Sequence, residues 1–439
     1  MRFVLGCGAV VLLAACAPSS TAPVKVMAIV PSITGTYETK QIELTTITSI
    51  TALTGKVVTL VGGTQIVIDP NDPAQMMATT DDQIAQTLQP NRGGAVHANY
   101  IDKGGVLWPA DFHSWAMVTT YFNFEQSYLY YQRVYDGAPT DTLLGTRVLY
   151  WAEFKDLSTG SEQVATDNAF WFQPIRSFVL VPFDKLQKIP FALNVGVVGH
   201  EFAHLVFNQK VFANVAVPLP LFGPSAWHLR PFNLLKSMDE GLADFHGYGV
   251  TCASAGPGCR PNFLSVSIAD KVAVAARDMS DDNHCLTEEL RAAFENFQPN
   301  AFIQPGLQYG IGTLISTALY QAANKNGKIE IVQKALIASY DDPSASAPGF
   351  KQVINLNLAN PEKFTPEKMT DTIASHITDP ELKKFVCNQL ADRLQLMCDS
   401  SVGTVGCEPL GAGVQFSPLE HCPSTTTRGT TPCKPLRPR

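Results

Sequence analysis

Hydrophobic and polar positions change period along this chain, and the changes divide it. Residues 24–68 alternate apolar residues with threonine, as in Ile42-Glu43-Leu44-Thr45-Thr46-Ile47-Thr48, the period-two pattern of β-strands. Asp69-Pro70-Asn71-Asp72-Pro73 closes that segment with turn residues. From Pro109 to Tyr135 the period becomes helical. Aromatics recur there at Trp115, Tyr121, Phe122, Phe124, Tyr128, Tyr130, Tyr131 and Tyr135, which predicts one long helix packed into a core. Strands are predicted over 146–154 and 169–182. Helices are predicted over 194–208, 235–250, 286–297, 308–324, 328–339 and 380–397. Residues 400–439 are rich in Gly, Pro, Ser, Thr and Cys, a composition that needs disulfides to fold. No internal repeat is evident. The order of elements predicts an α+β protein with a β-rich region over 16–95, a mixed domain over 96–345, and a helical, Cys-containing region over 346–439.

The chain is long enough for two or three domains, with 439 residues, 45% of them hydrophobic and 16% charged. A formal charge of −7 leaves no basic footprint for nucleic acid. Residues 1–15 read as a secretory signal: Arg2, a short apolar run, then small residues. Leu13-Ala14-Ala15-Cys16 resembles the lipobox of bacterial lipoproteins. That resemblance implies cleavage before Cys16, lipid on Cys16, and a mature chain anchored in a bacterial cell envelope on its periplasmic or extracellular face. Losing Arg2 takes the formal charge from −7 to −8. Of ten cysteines, Cys7 leaves with the signal and Cys16 is acylated. The remaining eight are Cys252, Cys259, Cys285, Cys387, Cys398, Cys407, Cys422 and Cys433. An even number in an exported chain predicts disulfides, with Cys252 and Cys259 near enough to close a small loop and Cys285 able to compete. No Cys-x-x-Cys pair offers a thiolate zinc site.

The chemistry is concentrated in two predicted helices. Gly199-His200-Glu201-Phe202-Ala203-His204 contains His-Glu-x-x-His. One helical turn separates the histidines, so both imidazoles can converge on one tetrahedral Zn²⁺. Glu201 stands beside them as a base for metal-bound water. Val198, Phe202, Leu205 and Val206 form the opposite, apolar face. Zinc needs a third protein ligand. A third His six residues after the second is excluded, because Lys210 stands there. Ser237-Met238-Asp239-Glu240-Gly241-Leu242-Ala243-Asp244 instead places Glu240 and Asp244 on one helix face. Glu240 is the expected ligand, and Asp244 the expected acceptor of a ligand histidine's free ring N–H. Helical spacing turns Asp239 away.

Together these motifs resemble the gluzincins, metallopeptidases with His-Glu-x-x-His and a downstream Glu, and among them the thermolysin-like peptidases. The resemblance implies a zincin-like catalytic domain, a mixed sheet with an edge strand and an active-site helix, followed by a helical lobe. It extends to Asp167-Asn168-Ala169-Phe170-Trp171, which in that family is an edge strand pairing with substrate backbone. Asn168 and Ala169 are thereby expected to bind substrate. The chain departs from the family in the 35 residues between His204 and Glu240 and in lacking clean counterparts of the transition-state Tyr and His. Tyr309, before Gly310 at a predicted helix start, is the alternative oxyanion donor. His228 and His246 are expected to be surface or core residues, and Asp281-Asp282-Asn283 lacks a full Ca²⁺ ligand set. The expected activity is zinc-dependent hydrolysis of a peptide or protein substrate. The alternative is a non-catalytic zinc-binding envelope lipoprotein. Glu201 favours the enzyme, since a scaffold has no use for a carboxylate that does not ligate.

Overall fold

A computed structural model describes residues 22–394, apart from 33–34, 79, 136–140, 158–162, 185–187, 213–229, 257–258, 288–289, 291–306, 326 and 358–363. Cys16, the signal segment, most of the predicted 286–297 helix, His228 and the four cysteines after Cys387 lie outside those residues.

Two mixed sheets carry the N-terminal half. The smaller joins β1 (Val24–Pro31), β2 (Tyr37–Leu44), β7 (Tyr100–Asp102) and β8 (Leu107–Pro109) in the order β2-β1-β8-β7. The larger is built on β5 (Val58–Ile68), which pairs in parallel with β9 (Thr146–Tyr150) and β10 (Glu153–Asp156) and antiparallel with β6 (Asn91–Ala95). β3 (Ile47–Ser49), β4 (Thr54–Gly55) and β11 (Gln163–Val164) extend it. Beyond β9 come β13 (Ser177–Leu180) and then β12 (Ala169–Phe172), which ends the row.

The sequence boundary at residue 95 therefore runs through one sheet, since β5 lies before it and β9 after. The strand expected over 146–154 is interrupted at Trp151, whose φ of 58° is left-handed. Its two halves keep one register, with Gly62 opposite Tyr150 and Gln65 opposite Glu153. The strand expected over 169–182 folds back on itself through a turn at Gln173–Ile175 and a left-handed Arg176, φ 46°.

Helices α1 (Pro73–Met77) and α2 (Asp81–Leu88) are short excursions. α3 (Phe112–Val134) is the aromatic helix, its N-terminus capped by the Asp111 side chain. The next two, α4 (Val195–Val211) and α5 (Arg230–Ala255), carry the two motifs. The lobe beyond comprises α6 (Lys271–Ala275), α7 (Leu307–Lys325), α8 (Ile329–Asp341), α9 (Phe350–Asn357), α10 (Pro366–Ser375) and α11 (Pro380–Leu394). Arg393, fully buried, ties this lobe together: its guanidinium donates to the carbonyls of Asp282 and His284 and to the Asp282 carboxylate. The Asp281-Asp282-Asn283 turn is thus closed by arginine and by its own hydrogen bonds.

α4 is buried on every side from Val195 to Phe207. Its apolar face meets α3 and the sheet through Phe202, whose ring stacks on Tyr131 and Phe178. The motif face meets α5 rather than solvent. The two helices approach closely because glycines line the crossing. A Cβ on Gly247 would stand 2.7 Å from the Gly196 carbonyl oxygen and 3.2 Å from the His200 nitrogen.

Candidate metal centre

The first turn of α4 is fixed from two directions. Asn194 caps it by accepting from the Gly196 and Val197 amides. Tyr37, from β2, accepts from the Val195 amide at 3.1 Å and donates to Asn194 Oδ1 at 3.2 Å. This anchoring sets the azimuth of His200, Glu201 and His204, a buried group of metal-binding types within 4.8 Å of one another.

The two imidazole rings stand at 90° with their Nε2 atoms 3.1 Å apart. Glu240 Oε2 lies 3.3 Å from His200 Nε2 and 3.5 Å from His204 Nε2. Four ligands at about 2.0–2.1 Å in a tetrahedron are separated by about 3.3–3.4 Å. The three atoms therefore form one face of such a site. Glu240 Oε2 is buried and has no hydrogen-bond partner, an arrangement that costs free energy unless something charged meets it. Glu201 is the poorer ligand by position, its Oε1 being 3.9 Å from His200 Nε2.

Each histidine has a carboxylate behind it. His204 Nδ1 donates to Asp239 Oδ1 at 2.8 Å. His200 Nδ1 lies 2.9 Å from Asp244 Oδ1, at ion-pair distance though without the alignment of a good hydrogen bond. Carboxylates on the Nδ1 side favour the tautomer that leaves Nε2 free to ligate. The expectation that Asp239 turns away is corrected here. Asp239 and Glu240 are about 100° apart around α5, but α4 crosses between them, so both reach the histidine pair.

Two basic residues complete the charge balance. Arg277, just after α6, grips Asp244 with Nη2 2.5 Å from Oδ1 and Nε 3.3 Å from Oδ2. Lys236 Nζ lies 2.9 Å from Glu240 Oε1. Glu201, Asp239, Glu240 and Asp244 thus face two cations, an acidic excess that a divalent ion offsets. Without the ion, burial disfavours charge on His204, but Asp239 and Glu240 overcome this and raise its pKa to about 10. Burial opposes ionisation of Glu240 and Asp244 too. Lys236 and the histidines hold Glu240 well below the usual carboxylate range, and Arg277 and His200 lower Asp244. Burial raises Glu201, whose Oε2 accepts the Trp171 backbone amide at 2.8 Å.

That last bond joins the motif to the edge of the sheet. Trp171 lies in β12, with Asn168 just before the strand and Ala169 at its start. Asn168 Oδ1 accepts the Ala169 amide at 2.9 Å. Tyr309, at the start of α7, has its ring 4.2 Å under the Arg277 guanidinium. The Glu240 charge, then burial, raises its pKa, so its hydroxyl keeps its proton. His246 is a core residue, bridging the Tyr130 and Tyr340 hydroxyls at 2.8 and 3.1 Å. Three members of the site escaped the sequence reading: Asp239, Lys236 and Arg277. Lys236 could have been found from its i, i+4 spacing to Glu240. Arg277 leaves no local signal.

No family model matches the chain, and no curated protein matches it. Among solved structures, the chain is similar to the precursor of protealysin, a metalloproteinase from Serratia proteamaculans, at 14% identity. That match covers 75% of this chain and 87% of the other, with a TM-score of 0.39, too low to establish a common fold. The geometry of the histidine pair and its carboxylates stands independently of it: His200, Glu201 and His204 form a buried group able to hold a metal ion.

Proposed function

We propose that this protein is a zinc-dependent peptidase of the gluzincin type, anchored in the bacterial envelope through lipid on Cys16. The observation that carries the catalytic part is the triangle of His200 Nε2, His204 Nε2 and Glu240 Oε2, with edges of 3.1, 3.3 and 3.5 Å and a buried oxygen that makes no hydrogen bond at one corner. These three residues hold the ion, and Asp244 and Asp239 orient the two rings. Zinc, when bound, supplies a Lewis acid that polarises a peptide carbonyl and acidifies water.

The remaining work falls to the chain. Glu201 Oε2 is occupied by the Trp171 amide, so Oε1 is the oxygen free to take a proton from the attacking water and pass it to the leaving amine. Burial makes Glu201 a stronger base than an exposed carboxylate. Asn168 and Ala169, at the strand that ends the sheet's row, align substrate backbone by strand addition. The Tyr309 hydroxyl, kept protonated, is the donor for the developing oxyanion.

The test measures zinc per chain alongside cleavage of a peptide library. Glu201→Gln is expected to keep one zinc and lose roughly 10²-fold or more in hydrolysis. His204→Ala and Glu240→Ala are expected to lose metal and activity together. A Glu201→Gln variant as active as wild type overturns the mechanism. Wild-type protein that binds zinc and cleaves nothing returns the reading to a binding module.

A further inference from the structure

We propose that Lys236 is a positioning residue that restricts Glu240 to a single metal-facing oxygen and so keeps a coordination position open for substrate. This rests on the zinc reading above and deepens it. Lys236 stands one turn before Glu240 on α5, and its Nζ lies 2.9 Å from Glu240 Oε1. The other oxygen, Oε2, is the one that faces both histidines. The same ammonium is 3.5 Å from Asp239 Oδ2, while Asp239 Oδ1 accepts the His204 ring N–H. One cation therefore occupies the outward oxygen of each carboxylate and leaves the inward one to the histidine pair.

An exposed Lys–Glu pair at this spacing contributes little. Burial makes this pair different. The Glu240 side chain is 5% exposed and that of Asp239 14%, whereas Lys236 is 31% exposed. The lysine is thus the most exposed of the three, and its charge is paired with two carboxylates withdrawn from solvent. A carboxylate with two free oxygens can grip a divalent ion through both. Once Oε1 is committed to a charge-assisted bond with the ammonium, only Oε2 remains. A catalytic zinc site works with three protein ligands and one open position, and a second Glu240 oxygen would fill that position.

The test loads the full chain with Co²⁺ in place of zinc and records its visible absorption, intense for a four-coordinate ion and weak for a higher-coordinate one. Wild type and Lys236→Arg are expected to show intense bands. Lys236→Met and Lys236→Gln, two neutral variants so that the result does not hang on one of them folding, are expected to show weak ones. Their kcat for peptide cleavage should fall about 10–100-fold, with KM little changed. Neutral variants with the wild-type spectrum overturn the inference, as does a wild-type spectrum that is already weak. A wild-type chain that takes up neither zinc nor cobalt overturns the proposed function along with it.

Discussion

His246 sits wholly buried between two tyrosine hydroxyls, and burial lowers its pKa from 6.5 to about 3. The unfolded chain takes up a proton at this residue below pH 6.5, and the folded chain does so only near pH 3. Between those values the unfolded state binds more protons, so stability falls as pH falls, by about 1.4 kcal/mol per pH unit for one proton. The contribution is fully present above pH 6.5 and gone below 3. His246→Gln keeps an amide between the hydroxyls but cannot titrate. Its unfolding free energy, measured in urea between pH 7 and 4, should fall with acid less steeply than wild type by that slope. Equal slopes would sink the account. The sequence left His246 as a surface or core residue, and it lies in the core. Its two tyrosine partners come from α3 and α8, more than 90 positions away, and no local pattern announces them.

Between elements, the decisive contact is the crossing of α5 and α7. A Cβ on Gly241 would lie 2.4 Å from the Gly312 carbonyl oxygen, a backbone atom that cannot swing aside. Gly241→Ala gains about 1 kcal/mol of helix propensity and incurs about 1–3 kcal/mol of overpacking, so the net effect is expected to be destabilising. The relief available is for α7 to move away, taking Tyr309 with it. The variant should therefore melt lower and lose cleavage while keeping its zinc. Unchanged melting and activity would mean that the helices are not held this tightly. Helices were the legible part of this chain: 194–208, 308–324 and 328–339 fall within two or three residues of α4, α7 and α8, because a long amphipathic or apolar period is read locally. Asp239 was misread for a related reason. Helical spacing tells which residues share a face, but not where a second helix will cross.

At the scale of the whole molecule, what resisted reading was pairing between distant strands. The alternation over 24–68 marks strands, yet nothing in it tells that β5 will pair with segments some 88 residues later, or that Tyr37 will cap the helix bearing the histidines. The β-rich start is consequently part of the body that supports the site. The polar stretch after Cys16 precedes the first strand, at Val24, and no helix among the described residues is long and apolar enough to cross a membrane. If lipid on Cys16 is the anchor, as proposed, Cys16→Ser is expected to free the protein from the membrane fraction, or to block its processing, while zinc content and cleavage by the purified chain stay at wild-type levels. Unchanged fractionation with an unmodified N-terminus would count against the anchor.

The residues converging on the histidine pair are spread from Trp171 to Tyr309, and Arg393, late in the chain, is among the ties that hold the lobe supplying Arg277 and Tyr309. A polypeptide is made from its N-terminus, so His200 and His204 emerge long before the groups that orient and balance them. Until α11 has been synthesised and seated, the growing chain holds the two histidines without the full arrangement around them. A metal ion at this pair is thus expected to be taken up late, once the lobe has closed over it.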